Sequence, residues 1–346
     1  MDISKIDKNF EIKTRISKEN IRFYNVENEP FSLYGVFKEN GKFRRMPEDV
    51  AKKVSEGVYG LHIHTAGGRV RFSTDSPYVA VHAKIDGIWF HSHFTVCATS
   101  GFDIYADNTY MGTYMPPAES VTMFEGVIEL NSRKMREICI NFPLYNSVNE
   151  LYIGLDADAK IEKAAPYKIE KPIVYYGSSI TQGGCASRPG TCYQAYITRE
   201  LSVDHINLGF SGNAKAEDTM IDYIKGLNMS AFVLDYDHNS PSCEHLKSTH
   251  EKMLLAVREN HPLLPIIIMN RPKLYLDNDE RSRLEIIRET YKNALGRGDK
   301  NIYLIDNTML CAMCGNEGTV DTCHPTDYGF ASMAKAIIPV LKEALK

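Results

Sequence analysis

The sequence predicts two folds in series: a jelly-roll-like antiparallel β-sandwich over residues 1–166, then an α/β domain with a parallel sheet over residues 167–346. Three observations carry this expectation. The 346 residues exceed what one hydrophobic core usually serves, about 250–300. Between Phe23 and Leu155, short runs of apolar residues alternate with polar ones and are separated by Gly, Asn and Asp, the period-two pattern of half-buried strands. From Lys171 onward, apolar runs alternate with helical stretches, as in a parallel sheet covered on both faces.

In the first part, Leu61 and Ile63, then Val70 and Phe72, then Ile138, Ile140 and Phe142 read as strand residues sharing a face. Ala66-Gly67-Gly68, Asp86-Gly87, Asp107-Asn108 and Pro116-Pro117 read as turns. One helix is expected over Pro47–Glu56: proline suits its start, Val50 and Val54 lie one turn apart, and Gly57 would stop it. The charged segment Asp156–Lys168 marks the boundary. In the second part the expected strands are Pro172–Tyr176, His205–Phe210, Ala231–Tyr236, Pro265–Met269 and Ile302–Ile305. The expected helices are Tyr193–Leu201, Glu217–Leu227, Glu244–Glu259, Asp279–Leu295 and Ala331–Leu345. In open sheets of this kind ligands gather beyond the carboxyl ends of the strands, so the residues following each strand are the candidates for function.

Charge excludes some partners. Forty Lys+Arg against 44 Asp+Glu give a net charge of −4 and a pI near 6.3 without a basic block, which argues against nucleic acid or an anionic membrane. The N-terminal run MDISKIDKNFEIKTRI is charged throughout and lacks the apolar core of an export signal. Leu263–Met269, the greasiest run, is too short to span a bilayer and contains Pro265. A soluble, cytoplasmic protein is expected. Its eight cysteines are therefore read as reduced thiols. Cys311-x-x-Cys314, with Cys323 and His324 nearby, resembles half a zinc site, but no second pair has matching spacing. His62-x-His64 and His91-x-His93 would each share a strand face, without a carboxylate or third histidine close by. Neither a metal nor an organic cofactor is expected. Trp89, the single tryptophan, reads as core in preference to a sugar platform.

The first strand leads into Gly177-Ser178-Ser179-Ile180-Thr181-Gln182-Gly183. A serine on a tight turn between strand and helix can present its hydroxyl while nearby N–H groups face a developing oxyanion. Thr181 rules out the G-x-S-x-G elbow, and the absence of a following lysine rules out a phosphate loop. The second strand leads into Asn207-Leu208-Gly209-Phe210-Ser211-Gly212-Asn213, whose glycines permit close backbone approach. The third leads into Asp235-Tyr236-Asp237-His238-Asn239, and Asp321-Thr322-Cys323-His324-Pro325 precedes the last helix. Each fragment alone also reads as a turn or a helix cap.

In their order and spacing, these fragments resemble the SGNH (GDSL-type) hydrolases over about Pro172–Lys346. The resemblance implies a flavodoxin-like fold with Ser179 as nucleophile, Asp321 and His324 completing a triad, and Ser179, Gly212 and Asn239 as oxyanion-hole donors. Gly101-Phe102-Asp103-Ile104-Tyr105 matches the G-x-D-L-Y signature of a β-sandwich that precedes some of these esterase domains. Two positions depart from the pattern. Ser178 stands where the first motif usually has Asp, and Asp237-His238-Asn239-Ser240 replaces G-x-N-D.

The chemistry is coherent without the resemblance. A serine hydroxyl needs an imidazole to take its proton, and a carboxylate orients that imidazole. Arg188 and His238 lie near the expected pocket; each reads equally as a substrate contact or as a residue serving only the protein itself. The leading reading is a serine esterase that removes short acyl groups, chiefly acetyl, from a carbohydrate. A small-molecule or oligosaccharide ester is the expected partner, and a homo-oligomer stays open. The alternatives are a lysophospholipase or thioesterase, and a catalytically inactive sugar-binding protein.

Overall fold

The computed structural model describes residues 12–88 and 90–346. Most of the N-terminal run read for an export signal, and Trp89, lie outside the described residues. The chain divides into two compact units. The first holds residues up to Arg45, Ile63–Pro166 and Arg188–Gly190; the second holds Met46–His62, Tyr167–Ser187 and Thr191–Lys346.

The first unit is a sandwich of two antiparallel sheets. One runs in the order Ile21–Asn25, Val148–Asp156, Tyr78–Ile85, Met123–Glu129. In the other, Arg69–Thr74 is followed by Arg136–Asn141, Phe102–Ala106 and Thr109–Tyr114, while Ile161–Glu162 and Ser32–Tyr34 also pair with Arg69–Thr74. Register explains the alternation in the sequence. Val70, Ile140 and Ile104 stand in one cross-strand row and Phe72, Ile138 and Ala106 in another, all buried in one core with Val79, Val81, Leu151 and Ile153. Asp103, Tyr105 and Asn141 alternate with these residues and occupy the opposite face. The turn signals are realised as left-handed backbone at Gly67, Gly87, Asp107 and Asn108.

One expectation fails here. Leu61 and Ile63 are not strand residues. Two short helices, Glu48–Val54 and Glu56–Leu61, replace the single helix and the strand, and both belong to the second unit. Ser55 separates them with extended backbone, and its hydroxyl accepts the N–H of Val58 to cap the second helix. Gly57 does not stop a helix. It lies inside the second one, where an added Cβ would come within 1.9 Å of the Asn213 side chain. Ala51 and Val58 drive this pairing by joining the second unit's core.

The second unit is a five-stranded parallel sheet, ordered Val203–Gly209, Ile169–Gly177, Ala231–Asp235, Ile266–Met269, Ile302–Ile305. In chain order this is 2-1-3-4-5, so the winding direction reverses between the first and third strands, where doubly wound sheets open a crevice. Val174, Tyr176, Phe232, Leu234, Ile266 and Ile268 are fully buried in one cluster, joined by Met220, Ile224, Leu246 and Ile287 from the helices Asp218–Lys225, Cys243–Asn260 and Asn278–Gly296. The last helix begins at Asp327, before the expected Ala331, with Gly329 and Phe330 buried in its first turn. Among the described residues no helix is long and apolar enough to cross a membrane.

His250 gives this core a pH dependence. It stacks on Tyr236, bonds Thr290, and burial lowers its pKa from 6.5 to about 4. Above 6.5 both folded and unfolded states hold the ring neutral. As pH falls from 6.5 towards 4, only the unfolded state takes up a proton, and the fold loses about 3 kcal/mol. His250→Phe is expected to flatten the urea-unfolding free energy across that window. An unchanged slope would show that other groups set it.

Candidate active site

Backbone crowding at the strand ends builds the site. The first parallel strand ends at Gly177, where a Cβ would lie 2.0 Å from the Asp235 carbonyl, and the second ends at Gly209, where it would lie 2.2 Å from the Gln182 nitrogen. No side chain fits at either position. Ser178 then caps a one-turn helix, Ser179–Gln182, by accepting the N–H of Ile180.

Ser179 opens that turn. Its Oγ lies 2.9 Å from His324 Nε2, and His324 Nδ1 lies 2.8 Å from Asp321 Oδ2. Asp321 Oδ1 also accepts the N–H groups of His324 and Cys323, at 2.7 and 3.0 Å. Burial acts to raise the Asp321 pKa, but these N–H bonds and the His324 ring outweigh it and hold the carboxyl at about 2. An ionised Asp321 accepts Nδ1–H, which leaves the Nε2 lone pair facing the serine hydroxyl. The loop carrying both residues is closed by the Val320 N–H to His324 carbonyl bond and by one isolated bridge between Thr319 and Pro325.

Gly212 and Asn239 are brought to the same turn system. Ser211 N–H donates to Gln182 Oε1 at 3.1 Å, which ties the Gly212 turn to the Ser179 helix. Ala214 N–H donates to Asn239 Oδ1 at 3.4 Å, leaving Asn239 Nδ2 without a protein partner among the described residues. Gly212 has a φ of 70°, and its N–H likewise has no acceptor among the described residues. Sequence reading missed Gln182, which links the turns, and Arg283, whose Nη1 donates to the carbonyls of Asp237 and Ser240 at 2.6 and 2.9 Å. Arg283 lies on an exposed-looking helical stretch, and nothing local signals that it turns inward.

The remaining candidates take other places. Arg188 groups with the sandwich unit. Its Nη1 donates to Asp103 Oδ2 at 2.8 Å and to the Tyr105 hydroxyl at 2.6 Å, and its guanidinium lies 3.8 Å from the Tyr110 ring centroid. Asp103 also accepts bonds from Asn141 Nδ2 and Gly190 N–H. His238 engages both ring nitrogens, with Ser178 and Asp237. Neither histidine pair lies on a strand: His62 caps the helix ending at Leu61, and His91 and His93 lie in a loop. No disulfide joins any of the eight cysteines; Cys311 and Cys314 are buried, and Cys323 Sγ lies 2.9 Å from Arg271 Nη2.

Residues 170–342 match the GDSL-like lipase/acylhydrolase family, and residues 21–161 match GxDLY, the N-terminus of Esterase_SGNH_hydro-type proteins. The chain belongs to the GDSL-like lipase/acylhydrolase family and is an ester-hydrolysing enzyme of the SGNH type. Among solved structures it is similar to a protein described as a GDSL-like lipase from Bacteroides ovatus, with 28% identity, 94% of this chain and 98% of that one covered, and a TM-score of 0.83. It shares its fold with the salicylyl-acyltransferase SsfX3 of a tetracycline biosynthetic pathway (19% identity, 94% and 98% covered, TM-score 0.77). The same holds for the acetyl xylan esterase Est2A of Butyrivibrio proteoclasticus (12% identity, 94% and 98% covered, TM-score 0.61). No curated protein matches the sequence.

Proposed function

We propose that this enzyme removes short acyl groups, acetyl first among them, from an esterified carbohydrate. The observation that carries the reading is the hydrogen-bonded chain Ser179–His324–Asp321. Ser179 Oγ attacks the ester carbonyl while His324 Nε2 takes its proton, and Asp321 stabilises the imidazolium. The oxyanion then meets the Ser179 and Gly212 N–H groups and Asn239 Nδ2. His324 next protonates the leaving alcohol, and a water activated by the same imidazole releases the acid. The polar and small residues of Gln182–Ser187 suit hydroxyl groups better than an acyl tail, and carbohydrate esterases bearing this fold make acetylated sugars the first substrates to try. We propose that the sandwich unit is an accessory to the α/β unit, the division near residue 166 being crossed by Met46–His62 and Arg188–Gly190.

Specificity constants for acetyl, butyryl and octanoyl p-nitrophenyl esters, followed by acetylated oligosaccharides and lysophospholipid, test the substrate. Acetyl and acetylated sugar should lead. An octanoyl or lysophospholipid preference would replace this reading with a lipase or thioesterase.

The rate should rise with pH through one ionisation. Protonated His324 has no lone pair for the serine proton, and Asp321, held at about 2, adds no acid limb of its own. Asp235, which burial pushes up to about 7, is the competing titrating group. The limb should survive in Asp235→Asn when kcat/KM is followed from acid to neutral pH. Its disappearance there would assign the limb to Asp235.

A further inference from the structure

A second serine–histidine–aspartate chain adjoins the first. Ser178 Oγ lies 2.6 Å from His238 Nε2, and His238 Nδ1 lies 2.8 Å from Asp237 Oδ1. Asp237 is buried, which acts to raise its pKa, yet the bond and charge of His238, aided by Arg271, hold it below the ordinary carboxylate value. An ionised Asp237 accepts Nδ1–H, and Nε2 is engaged by the Ser178 hydroxyl. The same oxygen accepts the Ile180 N–H at 3.1 Å. Ser178 is 0% exposed, so it is no second nucleophile. Asp235, Asp237 and His238 place ligand atoms within 4.8 Å of one another, but both imidazole nitrogens are committed, so the ring offers no lone pair to a cation.

We infer that Ser178, His238 and Asp237 are positioning residues that set the spacing between nucleophile and oxyanion donor. The chain of bonds joins the turn after the first parallel strand to the 3₁₀ turn Asp237–Asn239 after the third. Ser179 follows Ser178 directly, and Asn239 follows His238 directly. Arg283 holds the carbonyls of the third-strand turn, and His238 ties that turn across to the first. The two departures from the motif pattern are the two ends of this relay. A carboxylate absent at position 178 is present at position 237, with an imidazole spanning the gap.

The inference rests on Ser179 as nucleophile, and the test separates the two. In the full-length enzyme, Ser178→Ala and His238→Asn should each lower kcat for p-nitrophenyl acetate about 10²-fold, as a misplacement near 1 Å can. KM should stay within about twofold in the folded variants. Because one relay is cut either way, Ser178→Ala/His238→Asn should be no slower than the slower single variant. Ser178→Cys, close in size with a weaker hydrogen bond, should fall between wild type and Ser178→Ala. Wild-type kcat in both folded single variants would overturn the inference. So would a rise in KM at unchanged kcat, or losses that multiply in the double variant. Ser179→Ala assayed alongside reports on the underlying reading: if it keeps its rate, the nucleophile assignment falls, whereas an inert Ser179→Ala beside fully active relay variants rejects only the relay.

Discussion

Ser179→Ala is expected to lower turnover of p-nitrophenyl acetate by about 10⁴–10⁶ with the fold retained. The hydroxyl is the only atom removed, and it is the atom aligned with His324 Nε2 at 2.9 Å. Ser179 is nearly buried, at 6% exposure, and alanine fits wherever serine does, so Tm should change little. Residual catalysis would come from the proposed oxyanion donors and from substrate binding, which act without a nucleophile. Mass spectrometry of wild type treated with a fluorophosphonate should show the adduct on the peptide containing Ser179. A folded variant that keeps most of its rate would reject the assignment.

Arg188→Ala is expected to cost the sandwich unit about 3–5 kcal/mol, the usual result of stripping one partner from a buried ion pair. Asp103 is 0% exposed, with Arg188, Asn141 and Gly190 supplying its hydrogen bonds. Burial holds the Asp103 pKa above the ordinary carboxylate value, and those bonds offset only part of that rise. Without the guanidinium the desolvation is left uncompensated. Arg188→Lys should recover only part of the loss, because an ammonium cannot both lie flat over Tyr110 and reach Asp103 and Tyr105. Urea unfolding followed by tyrosine fluorescence, fitted with separate transitions for the two units, measures the change. A loss below about 1 kcal/mol would show that Asp103 is satisfied without Arg188.

The parts of this molecule that were legible in its sequence are those whose physics is local. Five apolar runs gave five parallel strands because a strand buried on both faces must be continuously apolar. Ser179, His324 and Asp321 could be nominated because each sits at an element end, where a short motif fixes the backbone. Leu61 and Ile63 misled because two residues of alternation fit the end of a helix as well as a strand, and Ser55, the cap, came six residues earlier. The roles of Asp103, His238 and Arg283 depend on partners 85, 60 and 43–46 residues away, and such pairings leave no trace in local pattern. Gly57 was misread for the same reason, its neighbour being Asn213.

The sheet order has a further consequence, for how the enzyme fails when heated. The strand leading to Ser179 is hydrogen-bonded on both sides, to the second and third strands, so its amides should be among the last in the second unit to exchange with solvent. His324 and Asp321 hang from a loop closed by one isolated bridge and the few hydrogen bonds around it, a segment that can open without melting the sheet. Warming should therefore release His324 from Ser179 while the strands remain protected. Activity would then decline reversibly some degrees below the unfolding transition, with early deuterium uptake confined to the peptide spanning Val320–Pro325.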